Sequence, residues 1–275
     1  EAQSSSSPGH LINGPTPTSY TQKWMGLATN YLGDINGDGY ADIVMGSQQS
    51  DKAYVVFGGA NGTWANGKLD LAAIDQGQNQ YGFSIKNGSD QAFAVGVAGA
   101  DVNGDGYADL LVGNDQDGAG SRGSGTLIYG HGGNWSNIQL VQQGNNWVLP
   151  SGVQGTTILA AGSGTYANAD LGRSINGVGD VNGDGIEDFV ITDPNGNNPL
   201  GGTNGGGTAY LIYGNKDGLP ATLDLGTLTP DQGIRINGMA KEHLGDLTGT
   251  SGGVITQQSR SVLTGLGDIN GDGID

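Results

Sequence analysis

Four short stretches of the chain place oxygen donors at every second position. The first is GDINGDGYADIVMG, residues 33–46, where Asp34, Asn36, Asp38 and Asp42 occupy positions 1, 3, 5 and 9 of a loop. The backbone carbonyl of Tyr40, at position 7, is a fifth candidate donor. Carboxylates, a carboxamide oxygen and a carbonyl are hard ligands. They suit Ca²⁺, which takes about six to eight oxygens at roughly 2.3–2.6 Å. Gly39 at position 6 permits the sharp turn that brings position 7 round. No His or Cys accompanies the set, which disfavours zinc or copper. Three carboxylates in so short a loop repel one another unless a cation sits among them, and that repulsion is the reason to expect a metal.

The same roles fall on Asp101, Asn103, Asp105, the Tyr107 carbonyl and Asp109 in ADVNGDGYADLLVG. They fall again on Asp180, Asn182, Asp184, the Ile186 carbonyl and Asp188 in GDVNGDGIEDFVIT. A fourth copy offers Asp268, Asn270, Asp272 and Ile274, with its ninth position beyond residue 275. An EF-hand needs a bidentate acid at position 12 and flanking helices. Here position 12 is Met45, Val112 and Ile191, so that loop type is excluded. The alternative without metal is a series of Asx-turns, which complete repetition of the donor set makes less attractive.

The elements that must position these loops repeat with them. An apolar run follows each of the first three loops at once. A second strand, ending in Gly, comes later: KAYVVFGG (52–59), GTLIYGHGG (125–133) and GTAYLIYGNKDG (207–218). Shorter alternating runs follow, GKLDLAAID (67–75), SNIQLVQ (136–142) and ATLDLGTL (221–228), and they are expected as fourth strands. With a strand before each loop, one unit is a four-stranded antiparallel meander of the size of a propeller blade. The first Asp of successive loops falls at 34, 101, 180 and 268. Gly- and Asn-rich insertions lengthen the spacing. The expected limits are an extension over 1–19 and blades at about 20–76, 77–143, 144–230 and 231–275.

Composition agrees with an all-β chain rich in turns. Of 275 residues 55 are Gly and none is Cys, so disulfides, zinc-thiolate sites and Cys nucleophiles are excluded. The formal charge of −17 argues against a nucleic-acid partner, because nothing neutralises phosphates. No apolar run is long enough for a transmembrane helix.

These units resemble the FG-GAP repeat of integrin α-subunit β-propellers and related bacterial surface proteins. The resemblance covers roughly residues 20–275 and rests on the loop GDxNGDGxxD, the strand after it, and the later strand ending in Tyr/Phe-Gly. The Phe-Gly element is matched loosely by Tyr81-Gly82-Phe83 and by Leu171-Gly172-Arg173-Ser174. The resemblance implies a propeller, usually of seven blades, with structural Ca²⁺ between the first two strands of a blade. It implies no enzyme. Three blades and the start of a fourth cannot close a ring, so the expectation is a fragment of a longer propeller.

The functional expectation is a calcium-binding extracellular scaffold for cell adhesion, meeting a protein or glycan ligand at the cell surface. A carbohydrate-binding propeller lectin is one alternative, with Trp64 and Trp135 as equivalent stacking platforms. A non-catalytic propeller attached to a secreted enzyme is another. Ser251 in Gly-Thr-Ser-Gly-Gly and the G-x-G-x-x-G match at 118–123 lack the helices their chemistry needs. His10, His131 and His243 show no ligand spacing. Asn61, Asn87 and Asn134 open N-x-S/T sequons.

Overall fold

A computed structural model describes residues 11–14, 25–47, 51–59, 67–88, 93–115, 122–161, 170–196 and 207–238, together with 265, 267, 268 and 274. The chain opens with β1 (Leu11–Asn13), β2 (Met25–Gly33), β3 (Asp42–Ser47), β4 (Lys52–Val56) and β5 (Lys68–Asp70). A single helical turn, α1 (Leu71–Asp75), leads to β6 (Gly82–Lys86). The next unit comprises β7 (Phe93–Ala100), β8 (Asp109–Asn114), β9 (Ser124–Ile128), β10 (Ile138–Gln139), the small hairpin β11 (Val141–Gln143) and β12 (Asn146–Val148), and β13 (Gly155–Leu159). The third comprises β14 (Ile175–Gly179), β15 (Asp188–Asp193), β16 (Thr208–Ile212), β17 (Thr222–Asp224) and β18 (Gly233–Asn237).

Among the described residues three antiparallel blades result: β2-β3-β4-β6, β7-β8-β9-β13 and β14-β15-β16-β18. They are blades of a β-propeller, all-β as the patterning predicts. Alternation along each strand sends side chains to two faces, and both faces bury. Val44, Ala53, Val55, Phe83 and Ile85 of the first blade meet Phe93, Val97, Leu110, Val112 and Ile128 of the second. Leu111, Leu127 and Ile158 point the other way and meet Phe189, Ile191, Tyr210 and Ile212 of the third. Each large apolar side chain so enclosed contributes roughly 1.5–3 kcal/mol.

The inner strands explain the small residues of FAVGVAGA. A Cβ added to Gly99 would lie 2.0 Å from the Leu32 carbonyl oxygen, so β2 and β7 come backbone to backbone. Glycine permits this approach and no larger residue does.

The fourth strands differ from expectation. Residues 67–75, 136–142 and 221–228 do not supply them. β10 lies parallel on β6 of the preceding blade, and β17 lies parallel on β13. β5 pairs in the same parallel sense with β1. The fourth strands are β6, β13 and β18, which run antiparallel to β4, β9 and β16. The outer limit of each blade therefore falls beyond the expected 76, 143 and 230. The physical reason is twofold. The LDL, IQL and LDL runs are too short to span a blade, and in the first and third units a turn capped by an Asp side chain follows at once: Asp70 accepts from Ala72 N–H and Asp224 from Gly226 N–H. Each true fourth strand opens instead on a glycine, at φ 142°, 157° and 155° for Gly82, Gly155 and Gly233. An added Cβ there would strike the carbonyl of Val55, Leu127 or Leu211 at 1.9–2.2 Å. At the loose Phe-Gly match, Leu171 bridges to Gly123 just ahead of β14.

Candidate metal centres

Each acidic loop joins the first and second strands of a blade, and the three described loops share one hydrogen-bond pattern. In the first, Asp34 Oδ1 accepts from Gly37 N–H at 2.7 Å and Asp38 N–H at 3.2 Å, while Oδ2 accepts from Gly39 N–H at 2.8 Å. Asn36 Oδ1 accepts from Asp38 N–H, and Asp38 Oδ1 from Tyr40 N–H, both at 2.9 Å. Asp101, Asn103 and Asp105 repeat these bonds onto Asp105, Gly106 and Tyr107. Asp180, Asn182 and Asp184 repeat them onto Gly183, Asp184, Gly185 and Ile186. The position-three amide donates to the position-five carboxylate at 3.3, 2.9 and 2.8 Å in the three loops. Tyr40 stands 44% exposed at position seven of the first loop.

The position-nine carboxylates lie beneath the loops, fully buried. Asp42 accepts from Ile35 N–H at 2.9 Å and from Gly58 N–H at 2.7 Å. Asp109 accepts from Val102 N–H at 2.9 Å and Gly130 N–H at 2.8 Å. Asp188 accepts from Val181 N–H at 2.9 Å and Gly214 N–H at 2.8 Å. Each therefore ties the start of its loop to the exit of the blade's third strand. Sequence spacing marked these residues as donors but not as ties. The signal was present in the Gly that ends every third strand, whose N–H is the second donor.

Burial sets the acidity of these groups. Loss of solvent pushes the Asp42 carboxyl up to about 6 and Asp109 up to about 8; their N–H bonds oppose the rise, and the neighbouring loop carboxylates add to it. Asp188 is raised for the same leading reason. Among the described residues, no three His, Cys, Asp or Glu side chains are grouped as a metal cage would group them. Instead every side-chain donor oxygen of the set accepts from a neighbouring N–H. A carboxylate has about four lone-pair positions, so these oxygens keep acceptor capacity. In type the donor oxygens suit a hard divalent cation. In the fourth loop, Asp268 and Ile274 are exposed, while Asn270 and Asp272 lie outside the described residues.

The remaining candidates divide plainly. Trp135 is 6% exposed and covered on both faces. Phe83 stacks on it at 4.4 Å between centroids and His131 at 4.2 Å, so it offers no platform for a sugar. A cleft of about 290 Å³ beside it is lined by Tyr129, Asn134, Ser136 and Gln154 among others. His131 is thus a stacking residue. Asn87 is buried, which closes its sequon in the folded chain, whereas Asn134 is exposed. Trp24, Trp64, His10, His243, Asn61 and Ser251 lie outside the described residues, as does most of 118–123. Position 12 of each loop is a buried core residue, Met45, Val112 or Ile191, which removes the EF-hand.

A second charged group, not anticipated from the sequence, lies between the second and third blades at the strand ends remote from the loops. Arg173 Nη1 is 3.2 Å from Asp170 Oδ2 and 3.9 Å from Asp115 Oδ2. Nearby Asp193 is buried, and desolvation followed by repulsion from Asp170 pushes it up to about 8.

Residues 34–112 match the FG-GAP-like repeat family. Over 213 residues the chain is 25% identical to integrin alpha-V of Gallus gallus, which covers 77% of this chain and 17% of that protein. Over 164 residues it is 27% identical to integrin alpha-6 of Gallus gallus, covering 56% of this chain and 13% of that protein. The chain thus spans under a fifth of the length of these relatives.

Proposed function

We propose, from the premise that this chain is built of FG-GAP-like repeats akin to those of integrin alpha chains, that it is a cation-braced propeller scaffold for adhesion outside the cell. The observation that carries the reading is the threefold return of one loop. The same donors, the same bonds and the same buried carboxylate recur in successive blades. Asp34, Asn36, Asp38, Asp42 and the Tyr40 carbonyl would hold one Ca²⁺. Asp101, Asn103, Asp105, Asp109 and the Tyr107 carbonyl would hold a second, and Asp180, Asn182, Asp184, Asp188 and the Ile186 carbonyl a third. Asp268, Asn270, Asp272 and Ile274 would begin a fourth. The cation supplies positive charge to a crowded acidic corner and does no bond chemistry there.

In this reading the metal is structural and the chain is no enzyme. Its partner is a protein presented at the cell surface, as the likeness to integrin alpha chains supports. Among the described residues no helix is long and apolar enough to cross a membrane. The lectin alternative loses its best-placed support, because both faces of Trp135 are occupied. The test is thermal unfolding with Ca²⁺ and with EDTA. Binding to the native state alone stabilises by about 2.7 kcal/mol when free cation is a hundredfold above its dissociation constant. A melting temperature indifferent to EDTA refutes the calcium assignment.

A further inference from the structure

The loops touch one another across blade boundaries, always in the same direction. A Cβ added to Gly37, at position four of the first loop, would lie 2.4 Å from Cε1 of Tyr107, at position seven of the second. Gly104 stands in the same relation to Ile186, 3.4 Å from its Cγ1, and Gly183 to Ile274, 3.2 Å from its Cδ1. The backbone follows suit. Ala108 N–H donates to the Asp34 carbonyl at 3.0 Å, and Glu187 N–H to the Asp101 carbonyl at 3.3 Å. His131 N–H donates to the Ile35 carbonyl at 3.0 Å, and Asn215 N–H to the Val102 carbonyl at 2.8 Å. At the second boundary the Glu187 carboxylate also accepts from Asp101 N–H at 2.8 Å.

We infer that each loop is a two-repeat site: its donors come from one blade, and its shape is held by the next. Positions one and two are the first donor and its neighbour, and their carbonyls are anchored by N–H groups of the following repeat. Position four is covered by the following repeat's position-seven side chain. Tyr107 accordingly serves two loops, its carbonyl in its own and its ring against Gly37 in the preceding one. The ring also stands beside Gly132, where an added Cβ would lie 3.1 Å from its hydroxyl. Tyr107, Ala108 and His131 are positioning residues for the Asp34 loop; Ile186, Glu187 and Asn215 are positioning residues for the Asp101 loop. Order is then coupled between neighbouring loops along the row, and cation affinity of a loop depends on residues it does not contain.

The inference rests on the proposed role of the loops, but it can be read without any cation. Hydrogen exchange of the whole chain in EDTA is compared among wild type, Tyr107→Ala and Tyr107→Phe. Loss of one such covering contact is worth on the order of tenfold in a local opening equilibrium. Amides 36–40 should exchange about tenfold faster in Tyr107→Ala and return towards wild type in Tyr107→Phe. Unchanged exchange at 36–40, with any change confined to 103–107, overturns the coupling. Added Ca²⁺ should then slow exchange in all three loops of wild type and do so least at 36–40 in Tyr107→Ala. If Ca²⁺ protects no loop in wild type, the cation reading fails while the EDTA comparison still decides the coupling. Ile186→Ala, read at amides 103–107, repeats the test at the second boundary should Tyr107→Ala fold poorly.

Discussion

Asp109→Ala should destabilise the chain even where no cation is present. The side chain accepts from Val102 N–H and Gly130 N–H, at 2.9 and 2.8 Å, from a position with no exposed surface. Alanine leaves both buried donors without an acceptor, and each such orphan costs about 1–3 kcal/mol. The gross loss is therefore roughly 2–6 kcal/mol. Part is offset, because alanine also ends the burial of a carboxyl group that its surroundings hold up to about 8. A net loss of about 2–3 kcal/mol is expected at pH 7. The control is Asp105→Ala. Asp105 is exposed, and water replaces its lost bonds to Tyr107 N–H and the Asn103 amide, so its loss in EDTA should stay at ~0.5 kcal/mol. Urea unfolding in EDTA measures both, through the midpoint at constant slope. Equal losses for the two variants refute the tie. A loss at Asp109 that appears only with Ca²⁺ would show position nine acting as a ligand alone.

Four further outcomes are expected. Gly99→Ala should cost at least about 1–3 kcal/mol by overpacking, because its Cβ would meet the Leu32 carbonyl at 2.0 Å; an unchanged urea midpoint counts against the backbone contact of β2 and β7. Trp135→Ala should cost about 3–5 kcal/mol through the emptied space between Phe83 and His131, with glycan-array binding unaltered. Tyr54→Phe should cost about 1 kcal/mol in chemical unfolding, since the buried hydroxyl donates to Asp75 at 2.8 Å. Asp193 sets a pH dependence. Its folded value, about 8, lies above the unfolded one, so the folded chain holds the proton longer and stability falls as pH rises through that window. Asp193→Asn should flatten this part of the curve between about pH 4 and 8 in EDTA, and a slope identical to wild type removes Asp193 as its source.

Much of this architecture could be read from residue order alone. Period-two apolar runs and a recurring acidic loop require repeated strand-loop-strand corners, because alternation fixes which side chains share a face. The oxygen set expected to meet a cation is equally local. Oxygen at positions 1, 3, 5, 7 and 9 with glycine at 6 is a property of nine consecutive residues. The fourth strands depart from the expectation for a physical reason. LDL and GFSIK both suit a strand, and only the edge available in three dimensions decides which chain each joins. Gly82, Gly155 and Gly233 were chosen by carbonyls of a neighbouring strand, and nothing in their local sequence announces that contact.

Position nine shows the same division within one residue. That Asp42, Asp109 and Asp188 carry oxygen beside an acidic loop follows from spacing. That each is buried, and joins loop to third strand through two N–H bonds, follows from where strands 16 to 26 residues apart come to rest. The contacts of Tyr107 on Gly37 and Ile186 on Gly104 lie further still from local pattern. They exist because blades turn their loops to the same end and stand close enough for one to cover the next. Short-range chemistry was therefore determined by the order of residues, and long-range enclosure by packing, because burial and acceptor geometry depend on neighbours that sequence distance does not reveal.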